Sequence, residues 1–175
     1  MNPKPPCPRF ETGYLALGSN LGLKKTYLTQ ALELIDTLPL TSIKKLSPVY
    51  RTAPVGGSAQ PYLNMVAQFE SAEDPCTLMD ELLEIEHLMG RRRSGVRNED
   101  RVIDIDLLLF GDRVLETPTL IVPHPRMHER QFVLKPLCDL SPQLVHPVMG
   151  ETVEALLKDV EKTGVWKEGP LQNKE

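Results

Sequence analysis

The chain has 175 residues, enough for one well-buried core and short for two. Its 41% hydrophobic and 25% charged residues suit an ordinary soluble globular domain, and a formal net charge of -4 argues against a general nucleic-acid binder, which carries a basic surface. Cys7, Cys76 and Cys138 form no CxxC pair, the Pro-rich start has no signal-peptide core and no apolar run approaches the ~20 residues of a membrane span, so a cytoplasmic protein without disulfides is expected.

Residues 1–10 read as a loose arm, 11–161 as a single domain and 162–175 as a polar tail. Tyr14 to Leu17 is an apolar run closed by Gly18-Ser19-Asn20, a strand entering a turn. Leu28, Ala31, Leu32 and Ile35 recur at i, i+3, i+4 and i+7 and predict a helix between Lys24 and Asp36. Ile43–Val49 and Tyr62–Phe69 predict strands, separated by a Pro/Gly/Ser-rich loop from Arg51 to Pro61. Asp74-Pro75 is a helix start, with Asp as cap and Pro at the first helical position. Leu78, Leu82, Ile85 and Met89 form the apolar stripe of that helix, which Gly90 ends. Ile103–Phe110 predicts a strand stopped by Gly111-Asp112. An irregular stretch, Pro118 to Pro125, leads to a short helix from Met127, and Val153, Leu156, Leu157 and Val160 mark a last helix. The order strand, helix, strand, strand, helix, strand predicts an α+β fold: a ferredoxin-like antiparallel sheet with helices on both faces, a three-layer α/β/α sandwich.

Asp104-Ile105-Asp106 is the sharpest chemical signal. Alternate side chains of a strand share a face, so both carboxylates point one way and can hold one hard cation or bridge two. The competing reading is a solvated strand face, weakened by Leu108 and Phe110, which strict alternation puts on the aspartates' side. Just before the pair lies a loop with Arg91, Arg92, Arg93, Arg97 and Arg101. Guanidinium groups give bidentate bonds to phosphate oxygens and stay charged, so arginines beside a magnesium-type carboxylate pair suit a triphosphate. No Walker cradle accompanies them: Gly13 to Gly18 has the outer spacing of a P-loop, but Ser19-Asn20 follows where Lys and Ser/Thr are required. His124, between Pro123 and Pro125, reads as a nucleotide contact or as a buried hydrogen-bonded histidine; its spacing to His128 also suits a zinc pair, but no third ligand accompanies them. Asn64 can match adjacent donor and acceptor groups on a heterocycle edge, and Tyr62 offers a flat stacking face.

Together these segments resemble the 6-hydroxymethyl-7,8-dihydropterin pyrophosphokinase family from Ala16-Leu17-Gly18-Ser19-Asn20 to about Gly150. The resemblance runs through Tyr50-Arg51-Thr52-Ala53-Pro54, Tyr62-Leu63-Asn64, Gly90-Arg91-Arg92-Arg93, Arg101 to Asp106 and Val122 to Leu134. It implies transfer of pyrophosphate from ATP to the pterin hydroxymethyl group, with AMP as the other product, two Mg2+ ions held by Asp104 and Asp106, and 11–161 as the pyrophosphokinase domain. By the same resemblance Arg91 and Arg101 promote transfer, and Glu86, Arg93, His124 and Arg130 contact ATP. Asn64 reads the pterin edge, assisted by backbone groups of Thr52 and Val55, while Tyr62 and Phe132 sandwich the ring. A monomer is expected, with no nucleic-acid or membrane partner and with association to neighbouring folate enzymes open. Where the family usually has Trp-Gly-Pro this chain has Asn98-Glu99-Asp100, which bears on the aromatic closure of that loop and sets acidic groups beside Arg97 and Arg101, with which they can pair. Two rival readings are a weakened relative serving as a partner protein, and an RNA-binding ferredoxin-like module; no strand carries the aromatic RNP1 pattern of the latter.

Overall fold

Alternation along two long central strands decides the architecture. In the computed structural model, which describes residues 8–53, 60–91, 100–161 and 164–171, β1 (Glu11–Ser19) pairs antiparallel with β4 (Tyr62–Ser71) from Glu11↔Ser71 to Ser19↔Leu63. The sheet runs β5 (Asp104–Phe110), β1, β4, β3 (Val49–Thr52), β8 (Val165–Gly169), and β2 (Thr41–Leu46) pairs with the far half of β4. β6 (Leu115–Glu116) and β7 (Ile121–Val122) make a separate small ribbon.

Leu15, Leu17, Met65, Ala67 and Phe69 leave one face of the sheet and are buried under α1 (Lys24–Asp36) and α2 (Pro75–Leu88), which contribute Leu28, Ile35, Leu78 and Leu82. Each such buried aliphatic side chain stabilises the fold by roughly 1.5–3 kcal/mol. Asp74 caps α2 as its sequence suggests, its carboxylate accepting from the N–H groups of Cys76 and Thr77. Tyr14, Val66 and Leu108 leave the other face and meet α3 (Gln131–Leu140) and α4 (Val153–Asp159) through Val133, Leu134, Leu137, Val153 and Leu156. Helices therefore cover both faces of a ferredoxin-like sheet. α3 is anchored by polar contacts as well: Tyr14 Oη lies 2.8 Å from Ser141 Oγ, and Tyr50 O–H donates to Asp139 Oδ2 at 2.6 Å.

Four local expectations change. The strand read as Ile43–Val49 is two, because Pro48 brings no N–H; Ser47 covers the gap by accepting the Val66 N–H on its hydroxyl at 2.9 Å. In β5 the register slips, Tyr14 facing Leu109 while Leu15 faces Leu107. This bulge leaves Leu108 on the aspartates' side and returns Phe110 to the opposite core, contrary to strict alternation. The short helix from Met127 is a single 3-10 turn, Met127–Glu129, followed by the ten-residue α3. Finally, the segment read as a polar tail contains β8, which pairs with β3 and buries Val165. Lys167 binds Asp139 at 3.0 Å and Lys135 donates to the Val165 carbonyl at 2.9 Å, so side chains far away in sequence fix this strand. Among the described residues no helix is long and apolar enough to cross a membrane.

Candidate active site

The face of the sheet that carries α3 is left open at the end holding Gly18, Asn64 and Asp104. These three lie side by side across β4, β1 and β5, since Gly18 faces Asn64 on one strand and Asp104 on the other. A cavity of about 390 Å3 opens there. Its floor includes Thr52, Asn64 and Gly18, and Tyr62 and Phe132 line it as well. Asn64 is buried and donates from Nδ2 to Thr52 Oγ1 at 3.0 Å, which orients its amide and leaves the remaining donor and acceptor for a ligand. Gly18 is required by this approach: a Cβ there would stand 2.9 Å from Asn64 Oδ1. Burial pushes the Tyr62 phenol above its ordinary pKa, so it stays a neutral stacking surface. The Arg130 guanidinium lies 5.7 Å from the Phe132 ring centre, within cation–π range of that ring.

Asp104 and Asp106 share the cavity wall, each about a third exposed. Burial, and then the charge of Asp104, raise the Asp106 carboxyl above the usual carboxylate range, against the pull of His124, Arg130 and Arg91. Every arginine described around the pair is engaged with it except Arg126. Arg91 Nη1 donates to Asp104 at 2.5 Å and also to Glu86; Arg101 Nη1 donates to Asp104 Oδ2 at 2.9 Å; Arg130 Nη1 stands 3.4 Å from Asp106 Oδ2. Burial opposes the charge on Arg101, yet Asp104 first, then Tyr62 and Asp106, hold its pKa above normal. Burial lowers the pKa of His124 despite the Asp106 carboxylate 3.8 Å from Nε2, so the ring is neutral at physiological pH. Its backbone N–H donates to the Leu108 carbonyl at 2.9 Å, tying it to the aspartates' strand.

Glu86 does not line the cavity. It is 2% exposed, and its Oε1 accepts the Ile105 N–H at 2.7 Å as well as Arg91. The acidic residues beside Arg101 also behave differently from expectation where they are described: Asp100 accepts from the Asn20 amide at 2.6 Å, and Arg101 turns to Asp104. Asn20 further accepts the Arg101 N–H at 2.7 Å, which explains why the turn after β1 belongs to the motif. His128 turns away from His124 and packs edge-on to His146, with ring centres 6.2 Å apart. Val55 and Arg93, with Asn98 and Glu99, lie outside the described residues.

A second cavity of about 290 Å3 adjoins the first through Asp106, with His124 in its wall. Met79, Leu107, Thr119, Leu120 and Ile121 line it, none of which the sequence singles out. The Leu115–Val122 ribbon that shapes it is held by a tight turn in which Thr117 Oγ1 accepts the Leu120 N–H at 2.9 Å. The two cavities thus share Asp106 in their walls, the first lined about equally by polar and apolar groups and the second mostly by apolar ones.

A family model described as 7,8-dihydro-6-hydroxymethylpterin-pyrophosphokinase matches residues 14–142, most of this length and every lining residue of both cavities. The chain belongs to that family. Within the pyrophosphokinase family it is 42% identical over 156 residues to the 2-amino-4-hydroxy-6-hydroxymethyldihydropteridine pyrophosphokinase of Bacillus subtilis, covering 89% of this chain and 90% of that one. Against the like-named Haemophilus influenzae protein it is 40% identical over 137 residues, covering 78% and 85%. The fold is similar to a Plasmodium falciparum HPPK-DHPS structure with pterin and p-hydroxybenzoate, at TM-score 0.70 and 18% identity. That match covers 86% of this chain and 42% of the other, so the pyrophosphokinase unit spans less than half of that longer protein.

Proposed function

We infer that this chain carries out its family's reaction, transferring pyrophosphate from ATP to the hydroxymethyl group of 6-hydroxymethyl-7,8-dihydropterin as a step of folate biosynthesis. The observation that carries the reading is the pair of adjoining cavities joined at Asp106. The pterin belongs in the larger one: Asn64, steadied by Thr52, reads its edge and Tyr62 and Phe132 lie against its faces. The nucleotide base belongs in the apolar cavity by the Leu115–Val122 ribbon, which directs the phosphates past His124 and Asp106 toward the arginines.

The donor set suits magnesium. Among the described residues no three His, Cys, Asp or Glu groups converge, but Mg2+ takes few protein ligands and completes its shell with phosphate oxygens and water. Asp104 and Asp106 would hold it, since both carboxylates share the cavity wall. The bound ion supplies charge neutralisation on the phosphoryl oxygens.

The chain's own groups do the rest. The hydroxymethyl oxygen, held over the sheet by the Asn64 contacts, attacks the β-phosphorus in line while its bond to the α-phosphate oxygen breaks. Arg91 and Arg101 exchange Asp104 for phosphate oxygens as negative charge gathers on the leaving AMP. Glu86 is a positioning residue in this scheme, aiming Arg91 from below. Arg130 braces Phe132 and the phosphates together, and Arg93 and the backbone at Val55 complete the nucleotide and pterin contacts. A cytoplasmic monomer that associates with neighbouring folate enzymes fits the longer HPPK-DHPS chain in which a similar unit occurs.

The test is product identity. With magnesium, ATP and hydroxymethyldihydropterin, AMP should accumulate in step with pterin consumption. ADP as the main nucleotide product would overturn the reaction.

A further inference from the structure

Arg126 is an arginine on the cavity wall with no counter-ion among the described residues. Among the described residues its guanidinium makes no ion pair and no hydrogen bond, whereas Arg91, Arg101 and Arg130 are each engaged with a carboxylate of the cavity wall. Its backbone is fixed: the Arg126 N–H donates to His124 Nδ1 at 3.2 Å, and the next residue, Met127, is fully buried. Its side chain is exposed and lines the same cavity as Arg130. Arg126 and Arg130 thus line one cavity, and among the described residues only Arg130 has a carboxylate partner. A cation held in that condition at a cavity mouth is complementary to an anion that arrives from solvent.

Position narrows which anion. Arg126 lines the cavity with Asn64 and Phe132 and is absent from the lining of the apolar cavity, where His124 stands instead. A phosphate that remains with the nucleotide lies on the His124 side of Asp106; a phosphate that leaves with the pterin lies on the Arg126 side. We propose that Arg126 holds the migrating pyrophosphoryl group, in ATP before transfer and on the pterin afterwards, and so is a phosphate-holding residue of the product complex. The inference rests on the pyrophosphokinase reading. In the step it serves, the hydroxymethyl oxygen bonds to the β-phosphorus, the bond from that phosphorus to the α-phosphate oxygen breaks with its electron pair leaving on AMP, and the hydroxyl proton is released. The γ-phosphate and the non-bridging β-oxygens keep their charge throughout, which gives one arginine a constant partner across the reaction.

Binding to Arg126→Ala separates the possibilities. Titration calorimetry with magnesium uses four probes: α,β-methylene-ATP, AMP, 6-hydroxymethylpterin and 6-hydroxymethylpterin pyrophosphate. The first and last should weaken about tenfold or more, the size of one lost charge-assisted contact, while AMP and the unmodified pterin change by less than about twofold. Arg126→Lys should recover part of the loss, because it returns the charge without the fork. Equal weakening of AMP would put Arg126 on the nucleotide, weakening confined to methylene-ATP would remove it from the product, and unchanged binding of all four would leave it without this role; each overturns the proposal. Failure of the unaltered protein to bind either ATP analogue or pterin would instead sink the pyrophosphokinase reading itself.

Discussion

Replacing Glu86 by Gln keeps the side chain's shape and removes only its charge, which isolates what a buried carboxylate contributes under the arginine loop. Among the described residues its Oε1 accepts two donors, the Ile105 N–H at 2.7 Å and Arg91 Nη1. A hydrogen bond to a charged group contributes about 1.5–3 kcal/mol and a neutral one about 0.5–1.5. The Ile105 bond therefore loses about 1 kcal/mol as it becomes neutral, and the Arg91 bond, which keeps the guanidinium but loses the ion pair, about 1–1.5 more. Arg91 keeps Asp104 and some water at 15% exposure, which offsets part of that and leaves ~2 kcal/mol. For a chain of this size each kcal/mol lowers Tm by about 2–4 °C, so the variant should melt ~4–8 °C early. Turnover should fall with it, because Arg91 is then aimed by Asp104 alone, and kcat should drop more than nucleotide affinity. Circular dichroism melts and ATP titrations on the same preparation test both parts. A variant that melts within ~1 °C of the original but loses ATP affinity would make Glu86 a nucleotide ligand, and the buried-support argument would be wrong.

Asp106→Asn should fold, since its side chain is a third exposed, and lose at least about a hundredfold in AMP formation, the scale of several kcal/mol of lost charge stabilisation; near-normal turnover would make the pair structural. Gly18→Ala sets a Cβ 2.9 Å from Asn64 Oδ1 and should displace the amide from Thr52. Pterin KM should then rise roughly tenfold with ATP KM little altered, and equal effects on both would contradict the assigned cavities. His146 is buried with its pKa lowered, first by burial and then by His128, while its Nδ1 accepts the Val148 and Met149 N–H groups. Its stabilising effect is therefore complete above its unfolded pKa of ~6.5 and lost as pH falls through the lower folded value. Urea midpoints measured from pH 7.5 to 5 should decline for the original chain and decline less for His146→Asn, which keeps an acceptor at that place; parallel declines would exclude His146 as the source.

Much of this was legible in the order of residues because it depends on local pattern. The α1 stripe, the Asp74 cap and the shared face of Asp104 and Asp106 all follow from periodicity and side-chain chemistry. What escaped depends on partners far along the chain. The bulge that sends Phe110 to the other core is set by the pairing of β5 with β1 and leaves no mark in the run Asp104–Phe110. The burial of Glu86 turns on Ile105, and β8 looks like a polar tail because most of its side chains face solvent on a sheet edge. The apolar cavity is made of Thr, Leu, Ile and Met that individually carry no chemical signature. Arg126 stood inside a recognisable motif, but its lack of a counter-ion among the described residues is a property of space rather than of sequence.

β8 also has a consequence for the chain while it is being made. Thr52 pairs with Val165, so 113 residues (165 − 52) must follow before β3 gains its outer neighbour. At about 5–20 residues per second a ribosome takes roughly 6–23 s to supply them, and during that interval β3 is an open strand edge. Open edges recruit other chains unless charge or proline guards them. β3 is bracketed by Pro48 and Pro54 and carries Arg51 on its exposed side. In the finished molecule that arginine is bound to Glu168 of β8 at 3.1 Å and lies over Trp166. The same guanidinium thus serves twice: as a gatekeeper for the nascent edge, and then as the latch that receives β8 when it arrives.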